Sequence, residues 1–260
     1  MSCNKVHFKT LLGAVKDTWA KPLLHNKYPN VTWFSYTSCD EKHPNPCVDF
    51  EEHMIYVENK DELGYTYSKT RDAYNMVKDI VDFDYVIRTN TSVFVNIDNL
   101  IKRVNLMDDN MVMGRYLIMN DKIVKPLGFF FGMTKKYFDY CMDVDDNYLH
   151  EKYGYEDEKV DDDTIIAYRL NEIDNVLYMN VENENINILN MYKPYLGCND
   201  INDYPLSTIP NKSKFRLITD TKQVNDYVMI RVRTLHGDDE RCSKGQEVLH
   251  LYELYDGLNV

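Results

Sequence analysis

Phe83-Asp84-Tyr85-Val86-Ile87-Arg88-Thr89-Asn90-Thr91-Ser92-Val93-Phe94-Val95-Asn96 is the stretch on which the reading of the fold turns. Tyr85 to Ile87 is a compact apolar run of the kind that forms a buried strand. It breaks abruptly into the polar cluster Arg88 to Ser92, and apolar residues resume at Val93. In open α/β sheets, ligands gather at the carboxyl ends of strands, which makes this cluster a candidate ligand contact. An ordinary polar turn between two strands would give the same pattern, so spacing alone does not decide.

Working outward, strand and helix signals alternate. On the N-terminal side, residues 7–19 predict a helix with Leu11, Leu12, Val15 and Trp19 at helical spacing. Val31 to Tyr36 and Met54 to Val57 predict strands, with a Pro- and Asp-containing loop at residues 40–46. Tyr67 to Ile80 predicts an amphipathic helix, and so does Asn99 to Asn105 on the far side. Met111 to Met119 and Ile123 to Leu127 predict a hairpin about Asn120-Asp121. An apolar run between glycines, Gly128 to Met133, leads into a helix at Lys135 to Met142. Thr164 to Ile173 predicts a helix capped by Asp162 or Asp163, and the C-terminal part adds a strand at residues 227–232 and a helix at 247–255. The alternation leads to the expectation of an α/β fold with a mostly parallel central sheet.

Composition narrows the function classes. The 260 residues carry a formal charge of -12, and 44% are hydrophobic, enough for a sizeable core. So acidic a chain is not expected to bind nucleic acid, and a phosphate-bearing ligand requires a local cluster of basic residues. No run of about 18 apolar residues predicts a membrane span. The six cysteines form no C-x-x-C pair, and the start of the chain has no apolar leader, so a cytoplasmic location is the expectation.

Two further segments carry chemistry. Asp161-Asp162-Asp163 precedes the predicted helix at Thr164. One carboxylate there serves as a cap, but three adjacent ones repel. A carboxylate held at a helix N-terminus is suited to take a proton from an attacking hydroxyl. In the C-terminal segment, Arg231 and Arg233 alternate on a predicted strand, with His236 and Arg241 just after. Guanidinium forks match phosphate oxygens, although Asp238 to Glu240 could instead neutralise them.

Taken in order, these segments resemble the galactosyltransferase and Fringe type of β-1,3-glycosyltransferase, a family with a GT-A (Rossmann-like) nucleotide-sugar-binding fold. Lys16-Asp17-Thr18-Trp19 is similar to its R/K-x-T-W helix end, and Ser68-Lys69-Thr70 to its L-K-T helix. Val86 to Asn96 resembles its Y-V-L-K-T-D-D-D-V-F-V-N strand, and Asp162 to Tyr168 its D-D-x-T-x-G-Y motif. Gly128-Phe129-Phe130-Phe131-Gly132 sits where the family has a glycine-rich acceptor segment. The R-T-N-x-S variant at this strand end also resembles small glycosyltransferases of large DNA viruses and bacteria.

The resemblance implies one GT-A domain over the whole chain. Its nucleotide-sugar part spans about residues 1–110, an acceptor part about 111–200 and a phosphate-binding tail about 201–260. It implies an inverting sugar transfer from a nucleotide-sugar donor to a glycan hydroxyl. Asp163 is the expected general base, with Asp162 as the alternative. Arg88, Thr89, Asn90, Ser92 and Lys16 would contact the donor, joined by Arg231, Arg233, His236 and Arg241. Gly128 to Gly132, with Phe129, Phe130 and Phe131, would shape the acceptor side. The family's D-D-D is Asn90-Thr91-Ser92 here. Neutral hydroxyls are poor ligands for Mn²⁺ or Mg²⁺, so no metal site is assigned and the basic tail is expected to supply the cations. A GT-A-like protein that binds nucleotide or glycan without catalysis is the rival reading.

Overall fold

The computed structural model describes residues 5–61, 63–119, 123–144, 148, 151–152, 161–181, 228–231, 251–252 and 254–256. The chain is a mixed α/β protein whose contacts divide it into two compact units. One contains residues 32–90 and 107–180; the other contains residues 2–31, 91–106 and 181–260.

The first unit holds two sheets. In the smaller, β1 (Ser35–Ser38) runs parallel to β3 (Met54–Val57), which pairs antiparallel with β2 (Cys47–Asp49). Helix α3 (Thr66–Val77) packs against this sheet, and Ala73 joins Ile55 and Val57 in its core. The larger sheet has the order β4 (Tyr85–Thr89), β7 (Ile123–Thr134), β6 (Met111–Met119), β8 (Leu177–Asn180). Helices α5 (Lys135–Met142) and α6 (Asp162–Leu170) supply Phe138, Ile165, Ile166 and Leu170 to its core, against Phe131 and Met133 of β7.

The expected mostly parallel sheet is not found. β7 runs antiparallel to both β4 and β6, and only β6–β8 is parallel in the larger sheet. The reason lies in β7. The hairpin strand expected to end at Leu127 continues through Gly128 to Thr134 and inserts between β6 and β4. The hairpin makes β7 antiparallel to β6, and β4 pairs antiparallel along its other edge. Gly132 permits the insertion: a Cβ there would lie 2.3 Å from Ile87 Cδ1 and 3.1 Å from Met113 Cε.

The second unit includes α1 (Lys5–Asp17), α2 (Lys21–Leu24) and α4 (Ile97–Val104). It also includes the antiparallel pair β5 (Val93–Val95) and β9 (Met229–Arg231). Leu11, Leu12, Val15 and Trp19 are buried, as their spacing predicts. Asn96 caps α4, its Oδ1 accepting from Asn99 N at 3.1 Å. Among the described residues, no helix is long and apolar enough to cross a membrane.

Candidate functional site

The carboxyl end of β4 meets the N-terminus of α6 through one side chain. Arg88 Nη2 lies 2.7 Å from Asp162 Oδ2, and Arg88 Nη1 donates to Asn90 Oδ1 at 2.6 Å. Both charged side chains are almost sealed from solvent, with 5% of Arg88 and 4% of Asp162 exposed. Helix α3 completes the shell. Thr70 Oγ1 donates to Asp162 Oδ2 at 3.2 Å, Tyr36 Oη lies 2.9 Å from Thr70 Oγ1, and the Asp162 amide donates to Thr66 Oγ1 at 3.1 Å. The guanidinium also stands over the Phe131 ring, 5.8 Å from its centroid. Burial works against the Arg88 charge, but Asp162, Tyr36 and Asp163 together hold the guanidinium more firmly protonated than usual.

Asp163 faces elsewhere. Successive helical residues point roughly 100° apart, so the neighbour of an inward Asp162 turns towards β7. Its Oδ2 accepts from the Gly128 amide at 2.9 Å, and its Oδ1 lies 3.0 Å from Lys125 Nζ. Lys125 Nζ also donates to Thr164 Oγ1 at 2.7 Å. The Asp163 and Lys125 side chains are each 16% exposed, so this pair reaches solvent where Arg88–Asp162 does not. A side chain at Gly128 would crowd this approach, since a Cβ there would lie 2.9 Å from Asp163 Oδ2 and 3.2 Å from Asp162 Oδ1.

The helix begins one residue earlier than capping by Asp162 would give, and two earlier than capping by Asp163. Asp161 is the N-cap residue, without a side-chain cap bond, and Asp162 and Asp163 occupy the first turn. There the helix dipole favours negative charge.

The structure thus brings Arg88, Asn90, Gly128, Asp162 and Asp163 together. Thr89 and Phe129 join them: the Asn90 amide donates to Phe129 O at 3.1 Å and Thr89 Oγ1 to the same oxygen at 3.3 Å. Other expected contacts lie differently. Arg88 is a buried internal partner, with its charge matched by Asp162, and presents no free cation to a donor phosphate. Phe130, Phe131 and Gly132 belong to the interior rather than to an acceptor surface, because β7 is a central strand; both rings are fully buried. Lys16, Ser92 and Arg231 belong to the second unit, Ser92 being buried and Arg231 standing opposite Val93. Arg233, His236 and Arg241 lie outside the described residues.

Lys125, Thr66 and Tyr36 were not legible as site residues. Lys125 carries no motif, and its long side chain meets Thr164 from 39 residues away in sequence. Thr70 lay within the L-K-T resemblance, but nothing in the sequence linked it to Asp162. The donor set at this junction does not suit a divalent metal. The two carboxylates are already paired with Arg88 and Lys125. Among the described residues, no group of three or more His, Cys, Asp or Glu could hold a metal ion. No family model matches the chain, and no curated protein matches it as a relative.

Proposed function

We propose that the chain is an inverting glycosyltransferase of GT-A type, moving a sugar from a nucleotide-diphosphate sugar to a glycan hydroxyl. The observation that carries this reading is the junction of β4 and α6. A polar strand end and a pair of first-turn carboxylates share one residue, Arg88, and one carboxylate, Asp163, stays partly exposed beside it. Asp163 takes the proton of the acceptor hydroxyl, whose oxygen forms a bond to the anomeric carbon. The bond from that carbon to the phosphate oxygen breaks, and its electron pair leaves with the nucleoside diphosphate. On the sequence alone, the basic residues Arg231, Arg233, His236 and Arg241 are the ones assigned to offset that leaving charge. Asp162 is too deeply buried and too firmly paired to share the role of base. Asn90, whose Oδ1 is held by Arg88, keeps its amide NH₂ to donate to the donor sugar or ribose.

The second reading is a GT-A-like protein that binds nucleotide or glycan without transfer. The ion pair between Lys125 and Asp163 favours it, because a carboxylate already matched by an ammonium is a hindered base. A panel of nucleotide sugars, screened by thermal shift and then supplied with oligosaccharide acceptors, separates the two. Stabilisation followed by release of nucleoside diphosphate on acceptor addition supports the transferase. Stabilisation without release supports the binding protein, and neither effect removes both readings.

A further inference from the structure

We propose that Lys125 is a positioning residue for Asp163, forming with the Gly128 amide a two-sided clamp on the carboxylate. The clamp rests on geometry; its catalytic consequence rests on the transferase reading. A carboxylate bonded through one oxygen can still turn about its terminal torsion, which is broad and soft. Asp163 is bonded through both, with Oδ2 on the Gly128 amide at 2.9 Å and Oδ1 beside Lys125 Nζ at 3.0 Å. The ammonium is itself fixed by a second acceptor, Thr164 Oγ1 at 2.7 Å. The carboxylate plane is therefore defined by β7 on two sides, not by α6 alone.

The exposure of the pair suits this role. Arg88–Asp162 is sealed, whereas Lys135–Asp139 lies on the surface with its side chains 34% and 41% exposed. Lys125–Asp163 lies between, at 16% for each side chain. It is sheltered enough for the ion pair to hold its geometry, and open enough for one edge of the carboxylate to meet a hydroxyl. The clamp also accounts for Gly128. Any Cβ at that position would contact Asp163 Oδ2 at 2.9 Å, pushing away the atom that its own amide holds. A general base works only within a narrow range of positions, and a displacement of about 1 Å can cost about 10²-fold in rate.

The test uses the full chain with Lys125→Met, which keeps the aliphatic stem and removes the ammonium, and Lys125→Arg, which keeps the charge. The amide resonance of Gly128 in ¹H–¹⁵N spectra reports on its bond to Asp163 without any activity. Transfer is followed with the nucleotide sugars of the panel. The expected result is that Lys125→Met moves the Gly128 amide resonance and lowers kcat by about 10-fold or more, leaving the donor KM within about twofold. Lys125→Arg returns both towards the wild-type values. Should Lys125→Met fail to fold, Lys125→Gln carries the same test. An unmoved Gly128 resonance overturns the clamp, and an unchanged kcat overturns its role in positioning a base. If the wild type transfers no sugar, yet the Gly128 resonance moves in Lys125→Met and returns in Lys125→Arg, the clamp stands and the transferase reading falls.

Discussion

Arg88 Nη2 stands 2.7 Å from Asp162 Oδ2, joining the carboxyl end of β4 to the first turn of α6 inside the protein. The two charges sit where solvent barely reaches, so each depends on the other. Replacing one leaves the other buried and unmatched, a situation that typically costs about 3–5 kcal/mol. Arg88→Met and Asp162→Asn are each expected to lower the unfolding free energy by about that amount, as measured by urea denaturation. The double replacement Arg88→Met with Asp162→Asn is expected to cost much less than the sum of the single changes. Single changes that cost less than about 1 kcal/mol would show that the pair is not sealed as described.

A methyl group at Gly132 tests the central position of β7. The added Cβ would lie 2.3 Å from Ile87 Cδ1, which no packing tolerates without movement. Gly132→Ala is expected to destabilise by about 1–3 kcal/mol through overpacking. Adding Ile87→Val, which removes that terminal carbon, is expected to recover a large part of the loss. A thermal denaturation series of the three variants measures it, and the absence of any recovery would contradict the β4–β7 packing.

Much of the local structure was legible because it depends on local signals. The strands Met54–Val57 and Val93–Val95 and the helix Lys135–Met142 fall where apolar pattern and polar breaks predict them. Cys47–Asp49 and Leu177–Asn180 were missed, being short strands with little pattern of their own. Strand direction was legible only for the hairpin pair β6 and β7, which is antiparallel as its sequence predicts. Alternation of strands and helices along the chain does not say that β7 will fold back between β6 and β4. The same ambiguity hid the burial of Phe130 and Phe131, since an apolar run between glycines fits a central strand as well as an exposed segment. At the site, the carboxylate pair and the strand end were visible as motifs. Their meeting through Arg88, and the hold of Lys125 on Asp163, depend on side chains far apart in sequence.

The basic C-terminal residues carry the proposed stabilisation of the leaving diphosphate. Transfer is expected to survive a chelator at least in part. Arg231→Ala or Arg233→Ala is expected to weaken nucleotide binding by about 1.5–3 kcal/mol, the range for charge-assisted hydrogen bonds. Loss of all transfer with chelator, restored by manganese, together with unchanged nucleotide affinity in the arginine variants, would assign that work to a metal instead.

The most direct measurement is sugar transfer by Asp163→Asn, set beside its affinity for the nucleotide sugar. Asparagine retains the shape of the side chain and an oxygen for the Gly128 amide, but it accepts no proton from a hydroxyl. The proposal predicts nearly unchanged donor affinity and transfer lowered by about 10²-fold or more. Turnover close to wild type in Asp163→Asn would contradict it and remove Asp163 from the mechanism.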